Sequence, residues 1–182
     1  MKKILLSSIL ASVLVVSSLE AVDEQKEGFI IGLGIGMSSI NTEVSFGGYD
    51  WDERSFALAT SFKIGYGFTN QFLLYYTNDI SWYGYDNDPY DDTYISGMSG
   101  IGVSYYLEEN SPYYVMGAIG IGSYSNFTEG DSETGSAFSV GVGYEVSPHF
   151  QIEATYLSTS IEEDGVELDT GAFNLTANYM WY

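Results

Sequence analysis

The chain has 182 residues, with 25 Asp and Glu against 5 Lys and Arg, 21 Gly, 17 Tyr and no Cys, and its formal net charge is -20. This length predicts one domain with a core of useful size. The lack of Cys excludes disulfides and thiolate metal sites. The negative charge argues against nucleic acid as a partner, because phosphate binding requires clustered Lys and Arg. An aromatic content of 16% argues against a disordered acidic chain.

The N-terminus has the layout of a Sec signal peptide. Two lysines precede the apolar stretch Ile4–Val16, and a segment richer in small residues leads up to Ala21. The apolar stretch is shorter than the roughly 20 residues that a membrane-spanning helix needs. We therefore predict a cleaved signal peptide over residues 1–21 and a single domain over residues 22–182.

After residue 21, apolar side chains recur with period two rather than 3.6, which predicts strands and no helices. In the first strand the odd positions are apolar and three even positions are glycine. The pattern predicts eight strands: Phe29–Met37, Ser55–Phe68, Gln71–Tyr83, Thr93–Leu107, Tyr113–Tyr124, Ser136–Val146, Phe150–Ser160 and Gly171–Tyr182. All eight exceed the usual strand of about 5 to 6 residues in soluble sheets. They suit the crossing of a bilayer at a tilt, which takes about 9 to 11 residues.

The connections between these strands alternate in length. Long polar loops are predicted after the odd strands, at Asn41–Arg54, Gly84–Asp92, Ser125–Gly135 and Ile161–Thr170, and short links after the even strands. An outer-membrane barrel has this arrangement, and it must be closed because unpaired edge amides are costly in hydrocarbon. The predicted fold is all-β: an eight-stranded antiparallel up-and-down transmembrane β-barrel. The alternative is a soluble barrel, whose apolar residues line a cavity and whose polar residues face water. The less apolar face of these strands is mostly Gly, Ser and Ala, which disfavours this alternative because such residues could not solvate an outer wall.

With its signal peptide, its eight alternating strands, its loop pattern and the aromatic C-terminus Tyr179-Met180-Trp181-Tyr182, the chain resembles the small outer-membrane barrels of the OmpA, OmpX and OmpW kind. The resemblance implies a monomer in the outer membrane of a Gram-negative bacterium, surrounded by lipid bilayer and lipopolysaccharide. It also implies that the outer-membrane insertion machinery recognises the C-terminus. Trp181 is in phase with the apolar face of the last strand, so Tyr182 is either an overhang or displaced by a bulge.

The predicted lumen face carries four charged residues, Lys63, Asp79, Glu145 and Glu153. An unpaired charge in a poorly hydrated lumen is costly, so we expect Lys63 to pair with Glu153 or with Glu145. Such a pair resembles the internal ion pairs of the OmpA barrel and would plug the pore. The other interpretation is a gate that responds to protons or cations.

Acidic residues concentrate in the predicted long loops. Carboxylate oxygens suit Ca²⁺ or Mg²⁺, and we predict weak divalent-cation binding at one set of residues: Asp86, Asp88, Asp91, Asp92, Glu162, Glu163 and Asp164. The alternative is a solvated acidic rim that confers solubility and repulsion. Apart from such ions, no cofactor is expected.

Two functions stay open at this point. One is a structural or surface-interaction barrel with a largely filled lumen, and the other is a narrow OmpW-like channel for small apolar molecules or cations. Some barrels of this size modify lipid A with a catalytic His near the outer rim. The single histidine here, His149, lies in a predicted turn at the opposite rim, so we do not expect an enzyme.

Overall fold

The computed structural model describes residues 26–47, 49–84, 93–126, 132–163 and 166–182. Within these ranges, no α-helix is long and apolar enough to cross a membrane. The predicted signal peptide, residues 1–21, lies outside the described residues, and the boundary between it and the domain stays a prediction.

Eight strands form a closed barrel in which each strand pairs with its neighbours in the chain and β1 also pairs with β8. All of these pairings are antiparallel. The strands are β1 Gly28–Phe46, β2 Tyr49–Gly67, β3 Phe72–Tyr83, β4 Tyr94–Tyr106, β5 Tyr113–Asn126, β6 Ser132–Ser147, β7 Phe150–Glu163 and β8 Val166–Trp181. The predicted eight-stranded antiparallel barrel is therefore confirmed.

Side chains alternate between the outer wall and the lumen, because successive residues of a strand point to opposite faces. On β1, Leu33, Ile35 and Met37 are exposed on the outer wall, whereas Ser38 and Ile40 are buried inside. The other strands repeat the pattern, so that large apolar side chains cover the outside and small or polar ones line the inside. Exposed fractions of 86% for Phe56 and 73% for Ile119 are those of a surface that meets lipid rather than water.

Three of the four predicted long loops are wrong. The segment Asn41–Arg54 is almost entirely strand, since β1 and β2 stay paired from Gly28↔Gly67 to Phe46↔Tyr49. In the segments Ser125–Gly135 and Ile161–Thr170, the described residues, 125–126, 132–135, 161–163 and 166–170, are likewise the ends of strands, whereas 127–131 and 164–165 lie outside the described part of the chain. Beyond the apolar band, strands keep their backbone pairing while their outward side chains become polar, so the apolar alternation ends before the strand does. The fourth predicted loop, Gly84–Asp92, lies outside the described residues except for Gly84.

The two ends of the barrel differ. At one end, which we call the turn end, short connections join β2 to β3, β4 to β5 and β6 to β7, and Tyr182 ends the chain. At the opposite end, the loop end, β1, β2, β7 and β8 extend furthest from the apolar band. The buried core lies in the lumen as two clusters, one near each end.

Candidate functional site

A hydrogen-bonded ion pair crosses the lumen near the turn end. Lys63 Nζ of β2 contacts Glu153 Oε1 of β7, and both side chains are almost completely buried. The hydroxyl of Tyr114 lies 2.7 Å from Glu153 Oε1 and 2.8 Å from Gln151 Oε1. The Lys63 ammonium also lies 5.3 Å from the centre of the Tyr75 ring, a favourable cation–π distance. The carboxylate and the ammonium thus both have partners in a site that excludes solvent.

A second ion pair, closer to the turn end, involves a lysine that the sequence analysis missed. Lys26 Nζ lies 3.2 Å from Glu145 Oε2 and 4.6 Å from the centre of the Tyr106 ring. Lys26 lies just before β1, outside the alternating pattern, and nothing in that pattern assigns it to the lumen. Its position between the predicted signal peptide and the first strand is the clue that the sequence offers.

The structure therefore separates the four predicted lumen charges. Lys63 meets Glu153, whereas Glu145 meets Lys26. Asp79 lies on β3 and its Oδ2 accepts a hydrogen bond of 2.8 Å from Thr77 Oγ1, with no ion pair to it within 4.0 Å among the described residues.

Apolar and hydroxyl side chains fill the lumen towards the loop end. Ile40, Met98 and Leu157 pack there and are each no more than 2% exposed. Beside them, Thr170 Oγ1 lies 2.6 Å from Thr159 Oγ1 and 3.1 Å from Ser96 Oγ. Hydroxyl groups paired across the lumen satisfy one another without needing a column of water.

Aromatic rings of neighbouring strands fill the space beside two of the glycines that face the lumen. A Cβ at Gly143 would collide with the ring of Tyr114, and a Cβ at Gly102 would collide with the ring of Tyr75. These glycines consequently make space for large side chains inside the barrel. This interlocking lets tyrosines that the alternation predicts to point inward fit inside an eight-stranded barrel.

The closed barrel of eight antiparallel strands agrees with the comparisons to known proteins. The family model for the outer membrane protein β-barrel domain matches residues 8–180. The chain belongs to this outer-membrane β-barrel family. A comparison with the curated proteins finds no match.

Several solved outer-membrane barrels share the fold of this family member. Ail of Yersinia pestis is 20% identical with a TM-score of 0.58, covering 85% of this chain and 99% of Ail. The Neisserial surface protein A is 16% identical with a TM-score of 0.54, covering 84% of this chain and 96% of that protein. OprG of Pseudomonas aeruginosa is 14% identical with a TM-score of 0.52, covering 88% and 99%. At such identities the likeness shows the fold alone.

Membership of the family places this β-barrel in the outer membrane of a Gram-negative bacterium. In such barrels the short turns face the periplasm and the opposite end faces outside. The Lys26–Glu145 pair thus lies at the periplasmic mouth of this barrel, and the extensions of β1, β2, β7 and β8 lie on the extracellular side.

The end of the last strand decides how the terminal aromatics lie. Trp181 faces outward and is 43% exposed, and β8 ends there. Tyr182 is an overhang beyond β8 and packs against the buried cluster at the periplasmic end of the lumen. Its hydroxyl accepts a hydrogen bond of 2.6 Å from Gln151 Nε2. Burial, followed by the negative charge of Glu145, raises the pKa of Tyr182 above its ordinary value, so this hydroxyl stays protonated. Recognition of the C-terminus by the insertion machinery stays a prediction.

The single histidine of this barrel has a local structural role in the periplasmic turn after β6. His149 Nδ1 lies 2.8 Å from the carbonyl oxygen of Met180, and its ring stacks on Tyr179 at 5.5 Å between centroids. Both contacts tie the turn to β8.

Five outward carboxylates of the extracellular strand extensions share one face, which we call the acidic wall: Glu43, Asp52, Glu162, Glu167 and Asp169. Glu43 of β1 lies directly opposite Asp52 of β2 on one side and Asp169 of β8 on the other. Glu162 and Glu167 are opposite each other on β7 and β8. Like charges at directly opposite positions repel each other. The wall therefore concentrates negative charge on one face of the strand extensions, beside Arg54 of β2, the single exposed cation among the described residues.

The predicted divalent-cation residues fall mostly outside the described part of the chain. Asp86, Asp88, Asp91, Asp92 and Asp164 lie in ranges whose structure is not described, as does the side chain of Glu163. Glu162 belongs to the acidic wall. Among the described residues, no group of three or more His, Asp or Glu is arranged to hold a metal ion. Divalent-cation binding at these residues stays a prediction.

Proposed function

We propose that this chain is a monomeric surface-interaction barrel of the outer membrane whose lumen is occluded. The filled lumen is the observation that carries the proposal. From the periplasmic mouth outward, Lys26, Lys63 and their partners are followed by the packed cluster around Met98. A barrel whose lumen is closed cannot transport molecules through it, so its function would lie in the partners that its exposed surfaces bind.

The charge of the extracellular surface favours a positively charged partner. The acidic wall lies on paired strands rather than on loops, which holds its carboxylates in a fixed arrangement. Fixed charges of one sign attract opposite charges and repel like ones. Positively charged peptides or cationic surfaces are therefore the class of partner that fits this wall.

This proposal gives the chain a charge preference opposite to that suggested by one structural neighbour. Ail of Yersinia pestis has been solved in complex with the heparin analogue sucrose octasulfate, a polyanion. The acidic wall is expected to repel such a ligand, since five carboxylates would face its sulfates.

The lumen favours the occluded barrel over the narrow channel. Glycines such as Gly143 and Gly102 suggest a roomy interior when only the sequence is considered. In the structure the rings of Tyr114 and Tyr75 occupy the space beside them, so the glycines support packing rather than conduction.

We expect the barrel in lipid nanodiscs to bind poly-lysine but not sucrose octasulfate. The variant Glu43→Gln/Asp52→Asn is expected to weaken poly-lysine binding by about fivefold at low salt, since exposed charges contribute modest energies that salt screens. Biolayer interferometry at two ionic strengths measures the effect.

The matched control removes two exposed charges at the periplasmic end with Glu108→Gln/Glu109→Gln. An equal loss of affinity in the wall variant and in this control would show that net charge, and not the wall, binds the polycation. Tighter binding of sucrose octasulfate than of poly-lysine would overturn the proposed partner class.

A further inference from the structure

The chain enters the periplasmic mouth through a backbone path that two glycines permit. Gly28, the first residue of β1, has φ of 122°, a conformation that residues with a side chain rarely adopt. A Cβ at Gly67 would collide with the carbonyl oxygen of Lys26. The backbone N–H of Lys26 donates a hydrogen bond of 2.9 Å to Asn70 Oδ1. Gly67 and Asn70 thus hold the backbone of Lys26 at the periplasmic mouth.

The surroundings of the Lys26 ammonium are those of a cation-binding site. Glu145 Oε2 lies 3.2 Å from Nζ, the Tyr106 ring lies beneath it at 4.6 Å, and the two charged side chains are 2% and 1% exposed. A carboxylate combined with an aromatic face is a common way to bind an ammonium group. A buried carboxylate that has lost its partner is strongly destabilised, so this site needs a cation.

We propose that the periplasmic mouth is a binding site for a primary ammonium ion, which Lys26 occupies as a tethered plug that seals the lumen from the periplasm. The inference rests on the occluded lumen of the proposed function and identifies what closes its periplasmic end. When the Lys26 side chain is removed, the same site accepts a small free alkylammonium ion.

The seal at the mouth is separate from the deeper ion pair. Lys63 is held by Glu153 and by the Tyr75 ring, whereas Lys26 is held by Glu145 and by the Tyr106 ring, so the two pairs have different partners. Lys26 lies over the Tyr106 ring, which belongs to the same cluster as Leu73 and Ile30, buried at 2% and 0% exposure. Loss of Lys26 is therefore expected to open this cluster to the periplasm. The Lys63 layer still blocks the way to the outside.

A cysteine reporter measures this opening, because the natural chain contains no Cys. In nanodiscs, Leu73→Cys is expected to react slowly with a membrane-impermeant maleimide when Lys26 is present. Adding Lys26→Ala is expected to speed the reaction at least about tenfold, as local opening governs access to a buried group. Ethylammonium chloride is expected to slow the labelling of the Ala variant again, relative to sodium chloride at the same ionic strength.

Two further variants make each outcome decisive. Asn110→Cys, in an exposed turn at the same end, corrects for the intrinsic rate of the maleimide. Lys26→Met keeps most of the side-chain volume and is also expected to label faster than the parent, so it replaces Lys26→Ala if that variant does not fold. It is not expected to respond to ethylammonium, because its own side chain occupies the site.

Equal labelling rates with and without Lys26 would overturn the seal. Equal effects of ethylammonium and sodium on the Ala variant would overturn the ammonium site. Neither result depends on whether the parent barrel conducts ions, which is the separate test of the occluded lumen.

Discussion

Replacing Lys63 by Met is expected to lower the free energy of unfolding by about 3 to 5 kcal/mol, because it leaves the Glu153 carboxylate buried without its cation. Tyr114 still lies within hydrogen-bond distance of that carboxylate but cannot neutralise it. Urea titration of the barrel in lipid vesicles, followed by tryptophan fluorescence, measures the loss.

The double variant Lys63→Met/Glu153→Gln is expected to recover most of this stability, since it removes both charges and keeps an amide for Tyr114 to bond. Glu109→Gln, at an exposed turn, serves as the control and should change the stability by less than about 0.5 kcal/mol. A single and a double variant of equal stability would argue that the two charges do not interact across the lumen.

Gly143→Ala is expected to destabilise the barrel by about 1 to 3 kcal/mol, the usual range for overpacking a dense core. The new methyl group would enter the space that the Tyr114 ring occupies. That ring is held from the other side by its hydroxyl contacts to Gln151 and Glu153. It therefore cannot move away without losing them.

Gly117→Ala provides a matched control on the neighbouring strand. Gly117 faces outward, where an added Cβ meets only the backbone oxygen of Ser139 at 3.5 Å. Because alanine reduces the backbone entropy of the unfolded chain, this variant should be neutral or stabilising by up to about 1 kcal/mol. Similar losses for both variants would mean that glycine is required for backbone shape and not for ring packing. Both variants are compared in the same urea titration.

The sequence predicts the membrane-crossing part of the barrel well because lipid imposes a strict alternation there. Residues such as Leu33 and Ile35 must be apolar while Ser38 and Lys63 face inward, and this contrast is visible without a structure. The number of strands and their antiparallel order follow from it, together with the requirement that every backbone amide be paired in hydrocarbon.

The extracellular part could not be predicted in the same way. Above the bilayer, Glu43 and Asp52 are as acceptable on a paired strand as in a loop, because water surrounds both. The pairing of Glu43 with Asp52 and Asp169 depends on backbone hydrogen bonds that carry no side-chain signature. The apolar alternation therefore predicts two acidic loops, Asn41–Arg54 and Ile161–Thr170, where the structure has the acidic wall.

The partners inside the lumen were only partly accessible from the sequence. Alternation assigns Lys63, Glu145 and Glu153 to the interior, but the choice between the two acids depends on the stagger of the strands around the barrel. Lys26 also competes for Glu145, and it lies two residues before Gly28, whose φ of 122° has no side-chain signature in the alternation. A lysine before the first strand gives no periodic signal.

Single-channel recording in planar bilayers tests the occluded lumen most directly. The purified parent barrel is expected to give no stepwise conductance at either polarity, because in the proposed function the Lys26 and Lys63 layers and the packed cluster around Met98 close the lumen. The same preparation must show a folded barrel by circular dichroism and by its mobility shift on heating. Steady unitary current steps from such a folded barrel would contradict the account, since they require a continuous water path through the lumen.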